Sequence, residues 1–308
     1  MRQDIVAIRN EMKKVIKGKD DIILQVLTAI LGGGHILLED IPGVGKTTLA
    51  VTLSRTMDLS YHRVQFTPDV LPSDITGFSM YNAKTGEFEY RPGAALCNLF
   101  LADEINRTSP KTQSALLEVM EEAKVTVDGV THDVPKPFVV IATQNPLGSS
   151  GTQRMPESQM DRFLVRLSMG YPDHDSAIDI LKGNGAANIE NVDNVISRDQ
   201  LAKMREEIMQ IHIQDNVYDF IVRLAEESRN NPNLSLGLSP RGSLAVMKMA
   251  RANAYIEERD YVTARDVLTN FVVVSGHRVV LSPRAKAAGL TSEKVMEDLM
   301  NLVKAPNV

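Results

Sequence analysis

The 308-residue sequence predicts an α/β fold followed by a mostly helical second domain. Over residues 1–172, short uninterrupted apolar runs alternate with amphipathic helical segments, and strands buried on both faces of a parallel sheet require such runs. After residue 172, helical periodicity replaces the apolar runs, with breaks rich in Asn, Gly and Pro. We therefore expect an α/β core over 1–172 and a helical domain over 173–308.

The core elements follow from periodicity. Helical spacing predicts two N-terminal helices, 4–16 and 20–31, before the first strand. Apolar runs predict strands at 35–39, 62–66, 98–103, 138–143 and 163–169, and helical spacing predicts helices at 46–56, 110–122 and 156–160. In two segments, 77–90 and 124–134, apolar and polar residues alternate on either side of a turn, which predicts β-hairpins inserted in this core.

The second domain is predicted from helical periodicity alone. Its helices are expected at 174–183, 199–211, 215–230, 240–258 and 263–274. The polar stretch 183–199 is expected to be a linker or loop. The apolar run 271–274 is the one candidate for a further strand.

Composition limits the classes of function. The chain is 43% hydrophobic and 24% charged, which is typical of a globular protein. The net charge of −5 is divided as −2 and −3 between the two predicted domains, without the basic block that binds nucleic acid. The single cysteine cannot form an internal disulfide, and no apolar stretch approaches the roughly 18 residues of a membrane span. We expect a soluble cytoplasmic protein with no nucleic-acid partner and no transmembrane segment.

The strongest local signal is LLEDIPGVGKT, residues 37–47, where a strand runs through a glycine-rich loop into a helix. Gly43 and Gly45 let backbone N–H groups surround a phosphate, Lys46 reaches the β- and γ-phosphates, and the Thr47 hydroxyl binds Mg²⁺. The predicted nucleotide-binding loop comprises Pro42, Gly43, Val44, Gly45, Lys46, Thr47 and Thr48. Asp40 stands where the general pattern G-x-x-x-x-G-K-[ST] has its first glycine.

A second signal is LFLADE, residues 99–104, where a buried strand ends in two carboxylates. Ligands of open parallel sheets bind at the carboxyl ends of the strands, so Asp103 is expected to hold Mg²⁺ through water and Glu104 to polarise an attacking water. An acidic turn after an ordinary strand is the alternative when this stretch is taken by itself. An Asn-Lys-x-Asp run for guanine is missing from the sequence, which favours ATP hydrolysis.

Three further polar residues are candidates for catalysis. Asn145 follows the strand 138–143 and could bind the γ-phosphate or the water. Arg162 precedes the last core strand, and Arg241 follows a predicted N-cap at Ser239. Each guanidinium could neutralise the charge that develops on a transferred phosphoryl group.

Together these stretches resemble the MoxR family of AAA+ ATPases over about residues 4–285. The signature stretches are 37–47, 63–77, 101–122, ATQNP at 142–146, RMPESQMDRF at 154–163 and LSPRGSLAV at 238–246. The resemblance implies an AAA+ P-loop core with a helix-2 hairpin and a pre-sensor-1 hairpin, plus an α-helical lid domain. It also implies that ATP and Mg²⁺ are cofactors.

The resemblance assigns roles beyond those that spacing indicates. Lys46 and Thr47 belong to Walker A, Asp103 and Glu104 to Walker B, and Asn145 to sensor 1. Arg241 belongs to sensor 2 and acts in its own subunit, whereas Arg162 matches the arginine finger, which acts on the nucleotide of the neighbouring subunit. Val15, Ile16 and Gly18 correspond to the segment that lines the adenine pocket. Arg107 is a second candidate for a contact between subunits.

The resemblance also implies a homo-oligomer, a hexameric ring, that acts as a chaperone-like motor on a protein client, often with a von Willebrand factor A domain partner. The hairpin 77–90 would contact the client through Phe78, Met80, Tyr81, Phe88 and Tyr90, or these residues would only pack the hairpin. Alternatives are a metal-chelatase motor, a DNA-acting motor and a nucleotide-gated ring with slow hydrolysis. The scattered histidines and the net charge of −1 on the hairpin disfavour the first two.

Overall fold

A computed structural model describes residues 1–145, 155–182 and 186–306. The strands are β1 (Ile36–Glu39), β2 (Tyr61–Gln65), β3 (Gly77–Asn82), β4 (Glu87–Pro92), β5 (Leu99–Asp103), β6 (Lys124–Val127), β7 (Val130–Asp133), β8 (Val139–Gln144), β9 (Val165–Leu167), β10 (Leu234–Leu236) and β11 (Val280–Leu281). The helices of the first half are α1 (Gln3–Lys13), α2 (Asp20–Leu31), α3 (Lys46–Thr56), α4 (Pro72–Thr76), α5 (Pro110–Glu122) and α6 (Glu157–Met160). Those of the second half are α7 (His174–Leu181), α8 (Arg198–Met209), α9 (Asp215–Asn230), α10 (Pro240–Ile256), α11 (Ala264–Thr269), α12 (Phe271–Ser275), α13 (Pro283–Ala287) and α14 (Ser292–Leu302).

A five-stranded parallel sheet in the order β2-β5-β8-β1-β9 forms the centre of the first half. This confirms the predicted α/β class. Because β1 lies between β8 and β9, and β5 lies beside β8, the loops that follow β1, β5 and β8 meet at one edge of the sheet.

Both faces of the sheet are covered. In β5, Leu99 and Leu101 join one hydrophobic cluster, whereas Phe100 and Ala102 join the other. Successive side chains of a strand point to opposite faces, so a strand covered on both faces needs an unbroken apolar run. This is why the sequence showed runs rather than alternation.

The two predicted hairpins are confirmed. The antiparallel pair β3–β4 joins Phe78 to Arg91 and Tyr81 to Phe88, and β6–β7 turns at Asp128 and Gly129. At the base of the first hairpin, a Cβ on Gly77 or Gly93 would collide with the backbone of the other, so both positions require glycine. The short helix α4, which the periodicity did not predict, leads into this hairpin.

The second half is mostly helical, as predicted, and α9 has the predicted bounds. The run 271–274 forms helix α12 rather than the candidate strand. The predicted helix 263–274 is broken at Asn270 into α11 and α12. The described part of the predicted linker 183–199 includes a 3₁₀ turn over residues 186–191. Within the described ranges, every helix is too short or too polar to cross a bilayer.

Candidate nucleotide site

The loop between β1 and α3 has the backbone of a phosphate cradle. Gly43 and Gly45 adopt φ of 86° and 93°, a region that residues with a side chain rarely occupy. Nothing lies within 4 Å of the place where a Cβ on Gly43 would be, so the loop is open to a ligand. Helix α3 begins at Lys46, and its free N–H groups and dipole favour an anion there.

Asp40 takes part in the structure of this loop. Its carboxylate accepts hydrogen bonds from the Ser168 hydroxyl at 2.9 Å and the Gly170 amide at 3.2 Å, as well as from the Met169 amide. Its φ is not positive, unlike those of Gly43 and Gly45. The position therefore does not need a glycine, and the departure from the general pattern leaves the cradle intact.

Lys46 lies at the bottom of the loop. Its ammonium group donates to the backbone oxygen of Asp40 at 2.8 Å. Burial lowers its pKa, although the carboxylates of Asp40, Asp103 and Glu104 act in the opposite direction. The phosphate groups of a nucleotide would supply this buried cation with a partner of higher charge.

Asp103 ends β5 with both carboxylate oxygens occupied. Oδ1 accepts from the Thr143 hydroxyl at 2.6 Å, and Oδ2 pairs with the Arg63 guanidinium at 2.7 Å. Arg63 lies on β2, two residues before the register partner of Asp103. Local sequence patterns did not single out Arg63 or Thr143, although a charged residue in the strand 62–66 was a usable signal.

Glu104 has a left-handed backbone, with φ of 59°, which aims its side chain back toward β8. Its amide donates to the Thr143 hydroxyl at 2.9 Å, Asn145 Nδ2 donates to Oε1 at 3.0 Å, and Arg107 Nη1 donates to Oε2 at 2.7 Å. Burial by itself would raise the pKa of Glu104, but the hydrogen bonds from Arg107 and Asn145 outweigh burial and lower it. The carboxylate therefore stays ionised at neutral pH. Arg107, the second candidate for a contact between subunits, pairs with Glu104 of its own chain, and its contact with another subunit stays a prediction.

These side chains line one cavity of about 340 Å³, called here the phosphate cavity. Its lining consists of Pro42, Gly43, Gly45, Lys46, Thr47, Thr48, Arg63, Asp103, Glu104 and Asn145. The side chain of Val44 is half-buried and packs against the hydrophobic core, and a contact of its backbone with a nucleotide stays a prediction. Pro146 and Arg154, which belong to the signature stretches, lie outside the described residues.

Arg162 and Arg241 lie outside the phosphate cavity. Both guanidinium groups pair with the carboxylate of Glu121. Arg162 Nη1 lies 2.7 Å from Oε2, and Arg241 Nη2 pairs with Oε1. They line a cavity of about 350 Å³, called here the arginine cavity, with Gly33, Gly34, His35, Met120, Glu121, Asp161, Leu164, Leu244, Ala245, Lys248 and Arg278. This cavity shares no lining residue with the phosphate cavity.

A buried ion pair sets the position of the two arginines. Arg278 donates to Asp161 Oδ1 at 2.7 Å, next to Arg162 in the chain. Asp161 Oδ2 accepts from the Ser239 hydroxyl at 2.9 Å, and Ser239 is the N-cap of α10, where Arg241 lies. Burial lowers the pKa of Arg278 to about 10, so it remains charged at neutral pH. This pairing, which the sequence did not predict, fixes the start of α10 against the core.

The predicted adenine segment does not line the phosphate cavity either. Val15 and Ile16 are buried in the hydrophobic core, and Ile16 and Gly18 line a separate surface groove. Gly18, with φ of 64°, approaches Asp173 and Ser176 at the start of α7 so closely that a Cβ would collide with them. An adenine contact of these residues stays a prediction.

Comparison with known proteins identifies two family models in the chain. The model described as "ATPase family associated with various cellular activities (AAA)" matches residues 35–165, and the AAA lid domain matches residues 226–299.

Similar proteins cover nearly the whole chain. The Bacillus subtilis protein YeaC is 47% identical, over 96% of this chain and 92% of its own length. Chaperone MoxR1 of Mycobacterium tuberculosis is 36% identical, over 97% of this chain and 81% of its own length. The crystal structure of a candidate ATPase from Cytophaga hutchinsonii superimposes with a TM-score of 0.89 at 35% identity, covering 99% of this chain and 98% of that one.

Proposed function

Because this chain belongs to the MoxR family of AAA+ ATPases, we propose that it hydrolyses ATP to ADP and phosphate and couples hydrolysis to the remodelling, maturation or activation of a protein client. The observation that carries the catalytic part is the convergence of Lys46, Asp103, Glu104 and Asn145 in the phosphate cavity. One buried cation, two carboxylates and an amide at a glycine cradle are the groups that nucleotide hydrolysis requires.

The phosphate cavity fits a magnesium nucleotide. Gly43 and Gly45 present backbone around an open space, and Lys46 supplies the positive charge. Thr47 and Asp103 offer the hard oxygen ligands that Mg²⁺ prefers, and Mg²⁺ when bound supplies further neutralisation of the phosphate oxygens. Arg63 pairs with the same Asp103 carboxylate and would have to share it with the metal.

Glu104 and Asn145 are the residues that we assign to the attacking water. The ionised Glu104 carboxylate can accept a hydrogen bond from water and orient it, whereas the Asn145 amide can donate to water or to phosphate without adding charge. In the present arrangement the two side chains are bonded to each other. Because an ionised carboxylate has about four acceptor sites, Glu104 can accept a hydrogen bond from water while Asn145 and Arg107 remain hydrogen-bonded to it.

We propose that both Arg162 and Arg241 act on the nucleotide of a neighbouring subunit. The family resemblance predicted this for Arg162 only, with Arg241 acting in its own subunit. Glu121 holds both guanidinium groups in the arginine cavity, apart from the phosphate cavity. An active site would then form between two copies of the chain, which is consistent with the hexameric ring that the resemblance implies.

Substitution of each arginine tests this assignment. We expect Arg162→Ala and Arg241→Ala each to lower ATP turnover by roughly 10³-fold, because each removes a cation from the charged transition state. Affinity for a fluorescent ATP analogue should stay within about twofold of the parent, because neither residue lies in the phosphate cavity of its own chain. Turnover and affinity are measured on the same preparations.

Mixing experiments separate action on a neighbour from action within one chain. Glu104→Gln should be inactive by itself, because it lacks the carboxylate assigned to the attacking water, but it keeps both arginines. When it is mixed with Arg162→Ala or Arg241→Ala, part of the turnover should return, because each partner completes a site on the other. Wild-type turnover by Arg162→Ala would contradict the proposal. Weakened nucleotide binding by unassembled Arg241→Ala would place that residue at its own site.

The client role rests on the chaperone-named relative and on the hairpin β3–β4. Four of its predicted client-contacting side chains, Phe78, Met80, Tyr81 and Phe88, are exposed, between 45% and 75%. Tyr90 instead stacks on His132 of the second hairpin. We propose that the exposed residues contact the client and that a von Willebrand factor A domain protein assists, as the family resemblance implies.

A further inference from the structure

We propose that Glu121 forms ion pairs with Arg162 and Arg241 within its own chain and thereby competes with the neighbouring subunit's nucleotide for these two arginines. This inference rests on the proposed role of the two arginines. It assigns a function to a carboxylate near the end of α5 that neither the sequence nor the family resemblance singled out. In this view Glu121 tunes how readily the composite site forms, and it takes no part in the reaction itself.

The contacts of Glu121 lead to this inference. One carboxylate oxygen pairs with an arginine of the core and the other with an arginine of the lid, so a single side chain occupies both cations. A γ-phosphate placed between the same two guanidinium groups would offer each of them an oxygen in the same way. The carboxylate thus makes the pairings that the phosphate is proposed to make.

Two carboxylates line the arginine cavity, and Glu121 is the one that a phosphate could displace. The cavity is lined by four cations, Arg162, Arg241, Lys248 and Arg278, and by two carboxylates. The second carboxylate, Asp161, is committed to Arg278 and Ser239. Without Glu121, Arg162 and Arg241 would face each other and Arg278 without compensation, which would favour an anion from outside.

The exposure of these side chains allows the exchange. Arg162 is 32% exposed, Glu121 38% and Arg241 46%. Ion pairs at this level of exposure shift an equilibrium by no more than about fivefold. A nucleotide phosphate carries more charge than a carboxylate and can therefore displace it. Arg162 would not lose its position, because it also donates to the Leu117 backbone oxygen at 2.8 Å.

The position of Glu121 on its helix makes a structural role unfavourable. It lies in the last turn of α5, which has no basic residue, and the negative end of the helix dipole disfavours a carboxylate there. Glu121→Gln keeps the shape and one acceptor oxygen while it removes the charge. The variant should therefore fold normally, with a thermal unfolding temperature close to that of the parent, because ion pairs at this level of exposure contribute little to stability.

Steady-state kinetics at varied subunit concentration tests the inference. Glu121→Gln should reach half-maximal turnover at a subunit concentration about two- to fivefold lower, with kcat within about twofold of the wild type, because the arginines are freed but unchanged. In a Glu104→Gln background, sedimentation velocity with ATP and Mg²⁺ should show the same shift in the concentration of half-assembly. Glu122→Gln is the matched control, since it removes the same charge one residue away, whereas the ion pairs of both arginines in the described structure are with Glu121.

Two results would overturn the inference. A fall in kcat of tenfold or more would make Glu121 a residue that orients the arginines for reaction. Behaviour identical to Glu122→Gln would show that the pairing has no effect on assembly. Both can be told apart from failure of the proposed function, in which Arg162→Ala and Arg241→Ala themselves would retain turnover.

Discussion

At the scale of single residues, the carboxylate of Asp40 connects the phosphate loop to the end of the last core strand. It accepts from the Ser168 hydroxyl and from the amides of Met169 and Gly170, and its own backbone oxygen accepts from Lys46. The residue is buried. The charge that replaces the first glycine of the general pattern is therefore part of the scaffold that holds the loop.

Restoring that glycine should weaken the protein. We expect Asp40→Gly to lower the free energy of unfolding by about 1–3 kcal/mol, because the buried Met169 amide and the partly buried Gly170 amide lose their acceptor. Nucleotide affinity should not rise, since Gly43 and Gly45 already supply the positive φ of the cradle. Urea unfolding and nucleotide titration measure the two effects.

Asp40→Asn serves as the control for this substitution. It keeps one acceptor oxygen in nearly the same volume, so its loss of stability should be smaller than that of Asp40→Gly. An Asp40→Gly variant that is as stable as the wild type and binds nucleotide more tightly would show that Asp40 does not stabilise the loop.

The limits of sequence reasoning at this scale are set by separation along the chain. Gly43, Gly45 and Lys46 were predicted because they are near neighbours in one loop. The hydrogen bonds of Asp103 with Arg63 and Thr143 each join residues 40 positions apart. Such contacts depend on strand order and register, which no local pattern determines.

At the scale of elements, helices with clear N-terminal signals were predicted with their observed starts. Helix α5 begins at Pro110 after Ser109, whose hydroxyl accepts from the Thr112 amide, and α10 begins at Pro240 after Ser239 in the same way. A capping side chain followed by proline specifies a helix start locally.

Short apolar runs are the opposite case. Residues 271–274 are rich in valine, which favours a strand, yet they form α12 because they pack against α14 and α10. The pair β10–β11 contains strands of three and two residues, too short for any periodicity. Tertiary packing decided these segments.

The hairpin β3–β4 exposes apolar side chains that do not serve to pack the hairpin itself. Tyr81 and Phe88 contact each other edge to face at 5.5 Å between ring centroids, and they remain 56% and 75% exposed. Tyr90, at the base, is held by the stack on His132. The tip is thus available for contact, whereas the base fixes the hairpin to the core.

We expect the hairpin tip to be needed for the client and dispensable for basal hydrolysis. Phe88→Ser, and deletion of residues 79–88, should leave basal turnover within about twofold, because the phosphate cavity has no residue from this hairpin. Client captured on Glu104→Gln should be lost when either change is added. Capture is measured by mass spectrometry of retained protein.

Val130→Ser is the matched control, because Val130 is a 57% exposed apolar residue on the second hairpin. It should leave capture unchanged. Retention of the same client after loss of the tip would contradict a client contact at this hairpin.

At the scale of the whole molecule, the two halves are joined by charged residues. Arg166 on β9 pairs with Glu39 on β1 at 3.1 Å and with Glu293 on α14. Gln144, next to Asn145, donates to the same Glu39 at 3.0 Å. A continuous set of polar contacts therefore connects the edge of the phosphate cavity with the last helix of the second half.

The sequence could not predict how the halves are oriented. It predicted that Arg162 precedes a strand and that Arg241 begins a helix, and the structure agrees. Their meeting at Glu121 depends on the buried pair Asp161–Arg278, whose members are 117 positions apart. Orientation is a property of packing, so the side on which Arg241 would act was not accessible from spacing.

His35 links three elements of the core through its ring. The Val140 amide of β8 donates to Nδ1 at 3.0 Å, which leaves the proton on Nε2, and Nε2 donates to the Met120 backbone oxygen of α5 at 2.9 Å. Burial lowers the pKa of His35 to about 4, and the charges of Arg205 and Lys248 act in the same direction, against the bond to Met120.

Stability should therefore fall as the solution becomes acidic, in a range where most carboxylates are still ionised. The unfolded chain, in which a histidine titrates near 6.5, takes up the proton first, so the contribution of neutral His35 is complete above about pH 6.5 and is lost as pH falls toward 4. At pH 5 the loss should be roughly 1–2 kcal/mol relative to pH 7. We expect His35→Gln to be less stable at pH 7 but to lose less stability between pH 7 and 5, as measured by urea unfolding.

His174→Gln, at an exposed histidine that begins α7, should keep the wild-type pH dependence. Since buried His277 has its pKa lowered in the same direction, part of the acid sensitivity should persist in His35→Gln. An unchanged difference between pH 7 and 5 would show that His35 is not the group that titrates.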